Sequence, residues 1–130
     1  MSTIVTSNVS DGTLSIPTTY VTNGSAKAWV NFNGTGTIAA RDSLNVTSLT
    51  DNGVGQYVVN LTSSMGNTNY SWVIGAWNNG AGNGAWNAAG GSGSYPAGVA
   101  VGALGLLAFD NSGNYQDQDA YCAAILGDLA

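Results

Sequence analysis

Glycine occurs 19 times in this chain of 130 residues, about double its usual share of roughly 7%. That frequency limits the available folds more than any other feature. Each glycine inside a helix costs about 1 kcal/mol relative to alanine, so long helices are disfavoured. The residues between the glycines are rich in Val, Thr, Tyr and Trp, which suit a pleated, half-buried strand. Asn33-Gly34 and Asp51-Asn52-Gly53 are typical turn sequences. The pattern predicts an all-β chain: an antiparallel β-sandwich or barrel-like domain of about seven to nine strands, preceded by an extended N-terminal arm.

Charge is scarce. Hydrophobic residues make up 44% of the chain and charged ones only 7%, against a usual charged share of about 25%. There is no Glu and no His, so Ser, Thr, Asn and Gly must form the surface. Such a surface suits a protein packed against copies of itself or other partners, because a free domain usually relies on charge for solubility. The net charge of −5 with only Lys27 and Arg41 as cations disfavours nucleic acid, whose phosphates need several cations on one face. An anionic membrane surface is disfavoured on the same ground. No apolar run approaches the roughly 20 residues of a membrane span, and the first residues lack the basic start and apolar core of an export signal.

The same inventory argues against catalysis. Without His or Glu, neither a Ser-His-Asp triad nor a carboxylate–His pair can form. The seven aspartates lie mostly in turns and supply no evident acid–base pair. One Cys and no His rule out a zinc site. Asp117 and Asp119 share a parity near the Asp110–Asn114 turn, where a hard cation would find oxygen ligands. Two solvated carboxylates are the simpler expectation. The chain is expected to be a non-enzyme with no cofactor.

Taken in order, residues 1–25 read as a polar arm whose apolar side chains are too scattered for a core of their own. Residues 26–130 read as the β domain. Ala26 to Asn33 alternates as a strand, with Ala28, Val30 and Phe32 on one face and Trp29 on the other. A tight turn at Asn33-Gly34-Thr35-Gly36 leads to a strand over Thr37 to Arg41, and Leu44, Val46 and Ser48 continue the alternation. Gln56 to Thr62 completes a meander. Tyr70 to Trp77 is apolar enough to be buried on both faces. Residues 78–98 form a Gly/Ala/Asn loop longer than the roughly 12–15 residues common in compact domains, a length often associated with function. Val99 to Phe109, the turn Asp110–Asn114 and a closing strand over Tyr115 to Leu126 finish the domain.

One block is distinctive: Lys27-Ala28-Trp29-Val30-Asn31-Phe32-Asn33-Gly34-Thr35-Gly36-Thr37. It is followed by Arg41-Asp42-Ser43, Thr50-Asp51-Asn52-Gly53, Gln56-Tyr57-Val58-Val59-Asn60, Met65 and Asn69-Tyr70. This order resembles a module of tail-fibre-type and other small structural proteins of tailed bacteriophages, over about Ala26 to Leu126. The resemblance implies a β-rich virion protein, self-associating as a homotrimer and without catalytic activity. It also implies assembly in the bacterial host cytoplasm. In tail fibres such a module usually follows a long trimeric shaft, and here only the arm precedes it. At no more than about 3.6 Å per residue, a 25-residue arm reaches roughly 90 Å, enough to grip a neighbour.

The expected role is therefore a capsid decoration or cement-type protein whose arm docks on the major capsid protein or tail proteins through Ile4, Val5, Leu14, Ile16 and Tyr20. The alternative is a short tail-fibre module that presents Trp77, Asn83, Trp86 and Tyr95 to a host surface glycan, since aromatic rings among Asn and Gly suit sugar faces and protein anchors. A free carbohydrate-binding module is a third reading. Cys122 is expected to be a buried hydrophobe, with an interchain disulfide as the alternative. Lys27 and Arg41 are expected to make local links to aspartates.

Overall fold

The computed structural model describes residues 2–78, 87–90, 98–110 and 112–130. Strands β3 (Ala26–Asn33), β4 (Ala39–Leu44), β5 (Val46–Asp51), β6 (Gln56–Leu61), β7 (Ser71–Trp77), β8 (Asn87–Gly90), β9 (Val99–Ala100), β10 (Ala103–Phe109) and β11 (Ala120–Leu126) build two antiparallel sheets. One sheet runs β4-β3-β11-β7. The other runs β5-β6-β10-β8, with β9 also paired to β10. The arm carries a separate hairpin, β1 (Asn8–Ser10) with β2 (Ser15–Pro17), and a seven-residue helix α1 (Thr18–Gly24). The chain is an all-β sandwich.

The core follows from strand parity, because alternate residues point to opposite faces. Ala28, Val30 and Phe32 of β3 and Tyr121, Ala123 and Ile125 of β11 point inward from one sheet. Tyr57, Val59 and Leu61 of β6 and Leu104, Leu106 and Ala108 of β10 meet them from the other. At the centre the Phe32 and Tyr121 rings stack at 4.9 Å, and Tyr57 meets both edge-on, at 5.5 Å and 4.9 Å. Offset stacks and edge contacts of this kind add about 0.5–1.5 kcal/mol per pair beyond the burial of area.

The 26–65 stretch is not a meander, because the chain changes sheets at Asn45. β4 belongs to one sheet and β5 to the other, and a single residue joins them. Asn45 adopts φ 57°, a left-handed conformation that Asn tolerates better than most residues. Its side chain holds the corner, donating to the Ser63 carbonyl at 3.0 Å and accepting from the Ser63 amide at 2.7 Å.

Other expectations are corrected in the same way. Asn33-Gly34 is no positive-φ hairpin turn; the left-handed residue is Gly36, at φ 64°. Gly34 is needed for close approach, since a Cβ there would lie 2.4 Å from the Tyr121 ring. The returning strand begins only at Ala39 and is broken by a bulge at Arg41, for Asn31 pairs Asp42 while Phe32 pairs Ala40. The closing strand begins at Ala120, because residues 116–118 do not join the ladders that β11 makes with β3 and β7. The Gln118 carbonyl accepts from the Gly34 amide at 3.0 Å, and the Gln116 amide donates to Ala108. β8 runs through the segment expected to be one long loop. The Asp110–Asn114 turn forms as expected, with the Asp110 carboxylate accepting from the Ser112 and Asn114 amides.

Candidate functional site

Three aspartates, Asp11, Asp51 and Asp110, act as turn fasteners. Asp11 accepts from the Thr13 and Leu14 amides, and Asp51 from that of Gly53. These bonds hold the Asp11 carboxyl below the usual carboxylate range, and Asn114 does the same for Asp110. Asp117 does not lie on a strand face with Asp119, since both precede β11. Its carboxylate accepts the Gly55 amide at 2.7 Å and the Tyr57 hydroxyl. No group of three or more potential metal ligands occurs among the described residues, and none of their helices is long and apolar enough to cross a membrane. Burial first, and the Asp117 hydrogen bond second, push the Tyr57 hydroxyl well above its ordinary pKa. Burial and the Asp117 charge do the same for Tyr121. Both phenols remain neutral and structural.

The two cations bind backbone. Lys27, expected to pair with an aspartate, instead donates its Nζ to the Thr22 and Ser25 carbonyls and to the Ser25 hydroxyl, pinning the end of α1 to the start of β3. The bulge re-aims Arg41 across β3. Its guanidinium donates to Asn31 Oδ1 and the Phe32 carbonyl, both at 3.1 Å, and to the Asp119 carbonyl. The arrangement fastens an edge strand.

The informative surface is the outer face of the four-stranded sheet. An antiparallel sheet with one face on the core normally turns polar side chains outward. Here the register sets Ala120 opposite Trp77, Cys122 opposite Gly75 and Ala124 opposite Val73, with Asn31 and Trp29 alongside on β3. Cys122 is exposed rather than buried, because Tyr121 and Ala123 take the inward positions. Its sulfur accepts from Asn31 Nδ2 at 3.3 Å. β7, expected to be buried on both faces, is an edge strand with Val73 65% and Trp77 57% exposed. Small residues at the centre leave a shallow apolar groove of about 420 Å³ between the Trp29 and Val73 sides.

The arm is the second informative surface. Val9 and Ile16 face each other across the β1–β2 pair, and Thr18 ties the helix start to the Thr6 and Ser7 carbonyls. No residue of α1 is buried. Ile4 is 90% and Val5 93% exposed, and Leu14, Ile16 and Tyr20 are exposed as well. A lone two-stranded hairpin is at best marginal in water, and isolated helices shorter than about 12–15 residues are too. The arm therefore has local structure but no core to support it.

Of the residues expected at a glycan or partner site, Trp77 lies at the exposed end of β7, while Asn83, Trp86 and Tyr95 lie outside the described residues. The structure does not bring Trp77 together with the arm residues as one site. Sequence reading overlooked the outer face because Val73, Gly75, Trp77, Cys122 and Ala124 resemble core residues until parity is assigned. No family model matches the chain, and no curated protein or solved structure matches it.

Proposed function

We propose that this chain is a non-enzymatic structural protein of a tailed-bacteriophage virion surface, a decoration or cement-type subunit that docks through its arm. The observation that carries this reading is the arm itself, a hairpin and helix whose apolar side chains point to solvent. Burying such side chains contributes about 25 cal/mol per Å², and ordering them unburied would be unfavourable. A receiving surface on a neighbouring protein removes that conflict. The likeness of the 27–70 motifs to phage structural modules supports the virion setting. Asp11, Asp51 and Asp110 fasten turns and Lys27 and Arg41 bond mainly to backbone carbonyls, which fits a scaffold.

Docking is tested by adding the purified chain to empty, expanded capsids of the phage. The expected result is saturable binding that raises the capsid melting temperature. Absence of binding, combined with a free protein that blocks host adsorption and loses that block on Trp77→Ala, would replace decoration with the receptor-binding role.

A further inference from the structure

We infer that Asn23 is a site of spontaneous covalent modification, converted to aspartate and isoaspartate through attack by the Gly24 backbone nitrogen. The inference is independent of the virion reading. In an Asn-Gly pair the deprotonated glycine nitrogen attacks the asparagine Cγ. An N–Cγ bond forms, the Cγ–Nδ2 bond breaks, and ammonia leaves behind a succinimide ring. Water then opens the ring at either carbonyl. One product is aspartate; the other is isoaspartate, whose main chain runs through the side-chain carbon. Glycine favours the step because no Cβ obstructs the approach.

Three such pairs lie among the described residues, Asn23-Gly24, Asn33-Gly34 and Asn52-Gly53, while Asn79-Gly80 and Asn83-Gly84 lie outside them. The fold treats the three differently. At Asn33 both reacting groups are held. The Gly34 amide donates to the Gln118 carbonyl at 3.0 Å. The Asn33 side chain donates to the Thr35 carbonyl at 2.6 Å and accepts from the Thr35 hydroxyl at 2.9 Å. At Asn52 the side chain is exposed, yet the Gly53 amide donates to the Asp51 carboxylate at 2.9 Å. Removing its proton would set two negative charges together. The turn is also closed by the Asn52 amide on the Gln56 carbonyl and the Gln56 amide on the Gly53 carbonyl, both at 2.9 Å.

Asn23 has none of this protection. Asn23 and Gly24 are exposed at the end of α1, a seven-residue helix with no buried residue. Such a helix is marginal without a core, so its last turn opens readily and frees the Gly24 amide. The site sits where the arm joins the sandwich, between the Thr22 and Ser25 carbonyls that Lys27 binds. A new carboxylate in the last turn opposes the helix dipole, and an isoaspartyl link lengthens the main chain there. Modification therefore loosens the arm's attachment to β3 as the protein ages.

The full chain is incubated at mildly alkaline pH, folded or in urea, and each conversion is followed by peptide mass spectrometry. Trypsin cuts after Lys27 and Arg41, so the three pairs fall on three different peptides, and fragment ions locate the altered residue. In the folded chain Asn23 is expected to convert at least about ten-fold faster than Asn33 or Asn52, whose amides must first be released by local opening. In urea the three should convert at similar rates. A side chain at Gly24 meets nothing within 4 Å, so Gly24→Ala should keep the fold and slow conversion of Asn23 alone. Equal rates in the folded chain, an unchanged Asn23, the same ranking in urea, or undiminished conversion in Gly24→Ala would each overturn the inference.

Discussion

At the scale of single residues, stability rests on positions where the backbone does something unusual. Asn45 alone carries the chain from one sheet to the other, in a left-handed conformation that costs a residue other than glycine about 1–3 kcal/mol. Its paired bonds to Ser63 offset that cost. Asn45→Ala keeps the strain and loses the bonds, so a loss of about 1–3 kcal/mol in urea unfolding is expected; an unchanged midpoint would show that the corner is held by something else. Sequence reading placed the inward residues of β3 correctly because their alternation is strict. It missed Asn45, the Arg41 bulge and the Gly34–Tyr121 contact, each of which depends on a partner far along the chain. Cys122 was misplaced for a related reason: burial statistics for the residue type say nothing about parity, and parity is fixed only once Tyr121 and Ile125 are known to point inward.

At the scale of elements, β7 and the arm show where apolarity misleads. Tyr70–Trp77 reads as buried on both faces because most of its side chains are apolar, yet Val73, Gly75 and Trp77 lie on the sheet's outer face, where Cys122 of the central strand is exposed too. The arm reads as extended, yet Pro17 precedes a helical turn over Thr18–Gly24. Pro has the backbone angle to lead into a helix and no amide to satisfy. Since neither the hairpin nor α1 has a core, the arm's amides should exchange hydrogen almost as fast as an unfolded chain in the monomer. In the assembled state they should slow by at least about ten-fold. Equal exchange in both states would mean that the arm docks on nothing. The candidate site was legible in part: the arm residues were visible as stray hydrophobes, whereas the outer face emerges only from the register of β11 against β3 and β7.

At the scale of the whole molecule, two sheets close over a core centred on Phe32, Tyr57 and Tyr121, and that core sets an alkaline limit. Tyrosine ionises near pH 10 when exposed, and both buried phenols are held above that value by desolvation and by Asp117. A raised pKa for an acid that is neutral in the fold means that stability is fully present below about pH 10 and declines above it, as the unfolded chain releases protons more readily. The last part of the tyrosinate absorbance, from Tyr57 and Tyr121, should therefore appear together with loss of the β-sheet circular dichroism signal; ionisation of all six tyrosines with the fold intact would contradict the packing. The same sandwich leaves its arm and one sheet face uncovered, and the central claim is that the arm exists for assembly. The most direct measurement is imaging of phage particles assembled with the full chain or with the chain lacking residues 2–24. The account predicts density for the β domain on the particle surface with the full chain, and none with the truncated chain, although its sandwich still folds. Undiminished occupancy after truncation would contradict it.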